Sequence, residues 1–106
     1  MHIALKIEYD GSRYSGFQFQ PNVQTIQGEI EKSISQLTQP GTNIVGAGRT
    51  DAGVHAKGQI VAFHINPKYS LHTIMNALNF YLPTDISVKS AQVVPKEFHP
   101  RRDATS

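Results

Sequence analysis

The chain has 106 residues, with 10 Lys and Arg against 8 Asp and Glu and a formal charge of +2. Apolar residues make up 39% and charged residues 17%, which is typical of a folded domain and excludes a disordered tract. Cysteine is absent, which excludes disulfides and thiolate metal sites, and no apolar run reaches the ~20 residues of a membrane span. So small a net charge permits a nucleic-acid partner without requiring one. The expected location is the cytoplasm.

The first half of the chain predicts a strand, a helix and a short second strand. Apolar residues alternate over 2–10, which predicts a strand that ends at a glycine-containing turn. Helical spacing over 25–39 predicts a helix with Thr25 as its N-cap and Pro40 after its end. Residues 44–45 then form a short strand that leads into a glycine-rich segment.

The second half predicts a strand, a helix and a final strand. Residues 59–65 are apolar on both faces except at His64, so we expect a central strand in which His64 is a partly buried structural residue. Residues 70–82 have helical spacing, with Ser70 as N-cap. The alternation over 86–94 changes parity, which predicts a β-bulge near Ser90.

This β-α-β-β-α-β order predicts an α+β fold. We expect a mixed or antiparallel four-stranded sheet with both helices on one face, a ferredoxin-like arrangement. Since a chain of this length buries a single core, residues 1–106 are predicted to form one domain.

The loop after the first strand interleaves aromatic rings, amides and one cation. Arg13, Tyr14 and Gln18 are therefore candidates for stacking on RNA and contacting its phosphates. The alternative is that Tyr14, Phe17 and Phe19 cover the edge of the core.

The segment at 46–56, Gly-Ala-Gly-Arg-Thr-Asp-Ala-Gly-Val-His-Ala, combines three glycines with one cation and one carboxylate. Glycines allow the backbone to approach a ligand closely. In an extended backbone Arg49 and Asp51 share a face, and the guanidinium keeps the carboxylate ionised. The alternative is a structural turn in which Asp51 bonds its own backbone.

Three parts of the sequence resemble the TruA family of tRNA pseudouridine synthases. Residues 48–56 match its signature residue for residue. Residues 9–20 resemble its opening motif, although Phe17 replaces the more usual tryptophan. Residues 98–101 resemble its Phe-His-x-Arg segment, and Arg102 stands where an aromatic residue usually follows. The resemblance covers the whole chain but only the first half of a family member.

The resemblance implies isomerisation of uridine to pseudouridine in the anticodon stem-loop of tRNA (positions 38–40), with no metal and no organic cofactor. Asp51 falls on the catalytic residue, either as nucleophile at the anomeric carbon or as base at the 2′ position. Arg49 would fill the space left by the extruded base. His55 and Lys57 are candidates for phosphate contact, with a solvated surface lysine as the alternative for Lys57. Arg101 is a further RNA-binding candidate.

Family members continue into a strand with a base-stacking tyrosine and a second domain, and they form homodimers. We therefore interpret residues 1–106 as the N-terminal catalytic-Asp domain, with the second domain absent, and expect a fragment that folds but is inactive alone. One alternative is an RNA-binding module without catalysis, which leaves the pairing of Arg49 with Asp51 unexplained. An acylphosphatase-like enzyme would need an arginine near the first turn, where Arg13 lies, but the surrounding residues do not match.

Overall fold

The computed structural model describes residues 1–16, 20–38, 44–46 and 56–100, with the backbone alone at 45–46 and 56–57. The elements follow the predicted order of strand, helix, two strands, helix and strand: β1 (His2–Tyr9), α1 (Ile26–Leu37), β2 (Val45–Gly46), β3 (Ala56–His64), α2 (Leu71–Tyr81) and β4 (Ile86–Val93). A short 3₁₀ turn, Gly11–Arg13, follows β1. No helix in these ranges has both the length and the apolar character needed to cross a bilayer.

The three longer strands form an antiparallel sheet with β1 in the middle, paired to β3 on one side and β4 on the other. The two-residue β2 is hydrogen-bonded along the outer side of β3, which gives the order β2-β3-β1-β4. The α+β class is confirmed. The middle strand of the three is β1, and not β3 as expected, since β2 covers the outer side of β3 only at Ala62 and Val61.

Both helices contribute to one core on one face of this sheet. Alternate residues of a strand share a face, and β1 buries Ile3, Leu5 and Ile7 completely. The completely buried helical residues are Ile26, Ile30, Ile34, Ile74 and Leu78. The predicted N-caps are confirmed, because the hydroxyls of Thr25 and Ser70 each accept a first-turn backbone N–H at 3.1 Å.

The change of parity in the last strand is a register shift, as predicted. Lys6 pairs with Ser90 and Ile7 pairs with Val88, so Lys89 is the extra residue. Because of this bulge, Val88 is buried in the core and Ala91 also packs against it.

The edge strand β4 is tied to α2 by one side chain. The amide Nδ2 of Asn79 donates to the carbonyl of Val88 at 3.0 Å, and the backbone N–H of Val88 donates to Asn79 Oδ1 at 2.7 Å. Val88 is 3% exposed, so these backbone groups depend on Asn79 for their hydrogen bonds.

We expect Asn79→Ala to lower the free energy of unfolding by about 1–3 kcal/mol, because it leaves two backbone groups of Val88 unsatisfied. Asn76→Ala on the same helix is the matched control, since Asn76 is exposed and bonds the side chain of His72. Its effect should stay within about 0.5 kcal/mol. Urea unfolding measures both. Equal effects of the two variants would show that the hydrogen bonds between Asn79 and Val88 contribute nothing to stability.

Candidate functional site

Most of the residues that the sequence predicts for catalysis and RNA binding lie outside the described residues. These are Gln18, Arg49, Asp51, His55 and Arg101. Lys57 lies in β3, where only its backbone is described. The side chains of Arg13 and Tyr14 are described, and they lie close together.

The sheet brings three chain segments to one of its ends. Tyr9, the last residue of β1, pairs with Ala56 on one side and Ile86 on the other. Ala56 is the residue at which the chain enters β3 after the glycine-rich segment, and the loop that carries Arg13 follows Tyr9 directly. The loop after β1, the start of β3 and the start of β4 therefore meet at the same end of the sheet.

A carboxylate just before β4 joins the first and last of these segments. Arg13 donates from Nε at 3.0 Å and Nη2 at 2.9 Å to Asp85 Oδ2, and the hydroxyl of Tyr14 donates to Oδ1 at 2.6 Å. The backbone N–H of Asp10 donates to the Asp85 carbonyl at 2.9 Å. Asp85 therefore binds the loop after β1 through its carboxylate and its backbone.

The loop is also stabilised within itself. The carboxylate of Asp10 accepts from the backbone N–H of Ser12 at 2.9 Å and from its hydroxyl at 2.6 Å, which is an Asx turn. Gly16 then has a φ of 95°, a conformation that a side chain would strain, and its carbonyl accepts from the N–H of Ile26 at 3.2 Å. These contacts fix the path from β1 to α1 on both sides of the undescribed residues 17–19.

Burial and the contacts with Asp85 set the protonation states of Arg13 and Tyr14. The hydrogen bond and charge of Asp85 raise the pKa of Arg13, so the guanidinium stays cationic. Burial, followed by the Asp85 hydrogen bond and charge, raises the pKa of Tyr14 well above its ordinary value. The phenol is therefore a neutral hydrogen-bond donor to Asp85.

The two described candidates differ in what they offer to a ligand. The side chain of Arg13 is 66% exposed, and a planar guanidinium held in one orientation is well suited to contact phosphate. Tyr14 is 3% exposed and belongs to the core, so its ring offers no stacking surface to RNA. Tyr14 instead holds Asp85 in place through its hydroxyl.

Sequence reasoning missed Asp85. Its position after a proline and a threonine indicates a turn, but it is 72 residues from Arg13. Only the pairing of β1 with β4 brings them together, and no local pattern contains that information.

A family model described as tRNA pseudouridine synthase matches residues 6–103. The chain belongs to the tRNA pseudouridine synthase family. Three curated relatives, each named tRNA pseudouridine synthase A, are 46–48% identical to it. They come from Thermotoga petrophila (47%, covering 97% of this chain and 42% of the relative), Roseiflexus castenholzii (48%, 97% and 38%) and a Geobacter species (46%, 97% and 42%). The chain thus spans about two fifths of the length of these relatives.

We expect Tyr14→Phe to lower the free energy of unfolding by about 1–3 kcal/mol at neutral pH, because a largely buried carboxylate loses a charge-assisted hydrogen bond. Tyr81→Phe is the control, since Tyr81 is 43% exposed. Its effect should be within about 0.5 kcal/mol.

The same variants give a test at alkaline pH. Because the pKa of Tyr14 is raised in the folded chain, the phenol of the unfolded chain loses its proton at a lower pH. The contribution of Tyr14 to the free energy of unfolding is therefore fully present below about pH 10 and decreases as the pH rises beyond it. Tyr14→Phe should remove this part of the alkaline loss and Tyr81→Phe should retain it. Urea midpoints measured on both sides of pH 10 decide this, and an unchanged loss in Tyr14→Phe would contradict the buried neutral phenol.

Proposed function

We propose that this chain forms the catalytic-Asp part of an enzyme that isomerises uridine to pseudouridine in tRNA. The observation that carries the proposal is the family match over 6–103, which includes the Arg-Thr-Asp segment at 49–51. The relatives that the chain covers in part are named tRNA pseudouridine synthase A, and the anticodon stem-loop is the substrate region that the sequence resemblance implies. The activity is proposed for a protein of the length of those relatives, and for this chain alone we expect none.

The reaction moves one bond and leaves the composition of the nucleotide unchanged. The bond between the anomeric carbon and the base nitrogen breaks, the uracil turns, and a new bond joins the same carbon to C5. The C5 proton is lost and the released ring nitrogen takes up a proton. Asp51 is proposed to act at the sugar, as nucleophile on the anomeric carbon or as base at the 2′ position.

The other polar residues are proposed to bind and orient the RNA. Arg49 would occupy the space left by the extruded base and keep Asp51 ionised. Arg13 is exposed and fixed by Asp85 at the end of the sheet where the chain enters β3, which supports a phosphate contact close to the catalytic segment. His55, Lys57 and Arg101 are proposed for further phosphate contacts, as the resemblance implies.

We also propose that the fold is ferredoxin-like. Its support is the order of strands and helices along the chain, together with the sheet order β2-β3-β1-β4 and the shared core of the two helices. A homodimer of the full-length protein is a further proposal, which follows from the resemblance. A cytoplasmic location is also proposed, as the default expectation from the sequence.

We expect Asp51→Asn to reduce pseudouridine formation at least ~100-fold in a protein that carries this chain at the length of its relatives, because the amide is neither nucleophile nor base. The measurement is pseudouridine in a tRNA transcript after incubation. Glu29→Gln, on α1, is the control and should retain activity. Retained turnover in Asp51→Asn would refute the catalytic role, and RNA binding without turnover in the unaltered protein would favour a binding module.

We expect Arg13→Gln to reduce the slope of log affinity against log salt by about 1 for an unmodified tRNA transcript, because one phosphate contact is lost. Lys32→Gln is the charge-matched control, since Lys32 is exposed on α1, and it should leave the slope unchanged. An identical slope in Arg13→Gln and the unaltered protein would remove Arg13 from the interface.

A further inference from the structure

A groove of about 190 Å³ lies at the end of the sheet opposite Arg13, where β1 begins and β3 ends. We call it the histidine groove, and its lining includes His2, Ala62, His64, Lys96, Phe98 and His99. The segment after β4 forms one wall, and the methyl side chain of Ala62 leaves space between the larger side chains. Arg13, Tyr14 and Asp85 are not among its lining residues.

Two stacked imidazoles form the polar part of this groove. His2 and His64 pair directly across β1 and β3, and their ring centroids are 4.1 Å apart with an interplanar angle of 15°. His2 Nδ1 lies 2.9 Å from the carbonyl oxygen of Pro95, and because a carbonyl oxygen only accepts, Nδ1 carries the proton of this hydrogen bond. Phe98 packs edge-on against His2, with a centroid distance of 6.3 Å.

In the described part of the chain, the charged groups that line the groove or act on His64 are cations. Although His64 is exposed, partial desolvation of its ring is the largest cause that lowers its pKa, followed by the charges of His2, the N-terminus and Lys96. The ammonium of Met1 is held in place because it donates to the carbonyl of Ile65 at 3.0 Å. The neighbouring Glu97 is exposed and is not part of the lining. An anion in the groove would therefore meet several positive groups.

We propose that the histidine groove binds a phosphate of the RNA backbone, with a proton held by the stacked pair of His2 and His64 completing the positive charge of the site. The inference rests on the proposed function, because the tRNA substrate supplies the phosphate.

The proposal links RNA binding to proton binding. A phosphodiester stays anionic at neutral pH, so it offsets the repulsion that opposes protonation of the pair. By thermodynamic reciprocity, RNA that raises the pKa of His64 must also bind more tightly as the pH falls. An opposite charge within a few ångströms raises a histidine pKa by about 1, and such a shift increases affinity up to about tenfold.

The first test follows the imidazole resonances of this chain by NMR across pH, alone and with a short single-stranded oligoribonucleotide. RNA should raise the pKa of His64 by about 1 and shift the resonances of His2. Addition of RNA should leave the resonances of His72 unchanged, since His72 is exposed on α2 and bonded to Asn76. Separate titrations with dimethyl phosphate and inorganic phosphate distinguish a phosphodiester from a free ion.

The second test compares RNA affinity at pH 5.5 and 7.5. The unaltered chain should bind several-fold more tightly at the lower pH, and both His2→Gln and His64→Gln should lose most of that gain. His72→Gln is the matched control and should keep it. Circular dichroism at both pH values establishes that the variants remain folded.

Several outcomes would overturn the proposal. They are an unchanged His64 pKa in saturating RNA, no RNA binding by the chain, a shift caused by inorganic phosphate but not by RNA, or an equal loss of the pH response in His72→Gln. A full-length protein that makes no pseudouridine would instead refute the catalytic proposal while leaving these binding results in place. The failures of the two proposals are therefore distinguishable.

Discussion

The antiparallel pairing of β1 with both β3 and β4 is the constraint on which the rest of the structure depends. It places Tyr9 between Ala56 and Ile86, so the loop after β1, the entry to β3 and the start of β4 meet at one end. At the other end it places His2 beside His64. Since a slip of one residue would move every side chain to the opposite face, both clusters depend on the same register.

Asp85 shows how this register is used to hold a surface charge. A mostly buried carboxylate is costly unless it is paired and hydrogen-bonded, and Asp85 has both an arginine and a neutral tyrosine hydroxyl as partners. The pair leaves Arg13 exposed but restricted in orientation. A guanidinium restricted in this way loses less conformational entropy when it binds a phosphate than a freely rotating one.

The sequence was sufficient for the elements whose signals are local. Helical spacing and the capping hydroxyls of Thr25 and Ser70 located both helices. The change of parity predicted a bulge near Ser90, and the structure has it at Lys89. Long-range pairing was not predictable from such patterns. Tyr14 is buried, in agreement with the alternative that it covers the edge of the core. His64 is exposed, although we expected partial burial. Of the candidate site, the sequence supplied Arg13 but not the carboxylate that holds it.

The two cationic sites should respond differently to their surroundings. Asp85 raises the already high pKa of Arg13, so we expect its contribution to RNA binding to depend on salt and not on pH near neutrality. The histidine groove gains its charge only when the stacked pair takes up a proton. Seven residue steps of β1 separate the two ends, roughly 23 Å, so RNA that contacts both must extend along the strands. The contribution of Arg13 to the affinity for such an RNA would then depend on salt, and the contribution of the histidine groove would depend on both salt and pH.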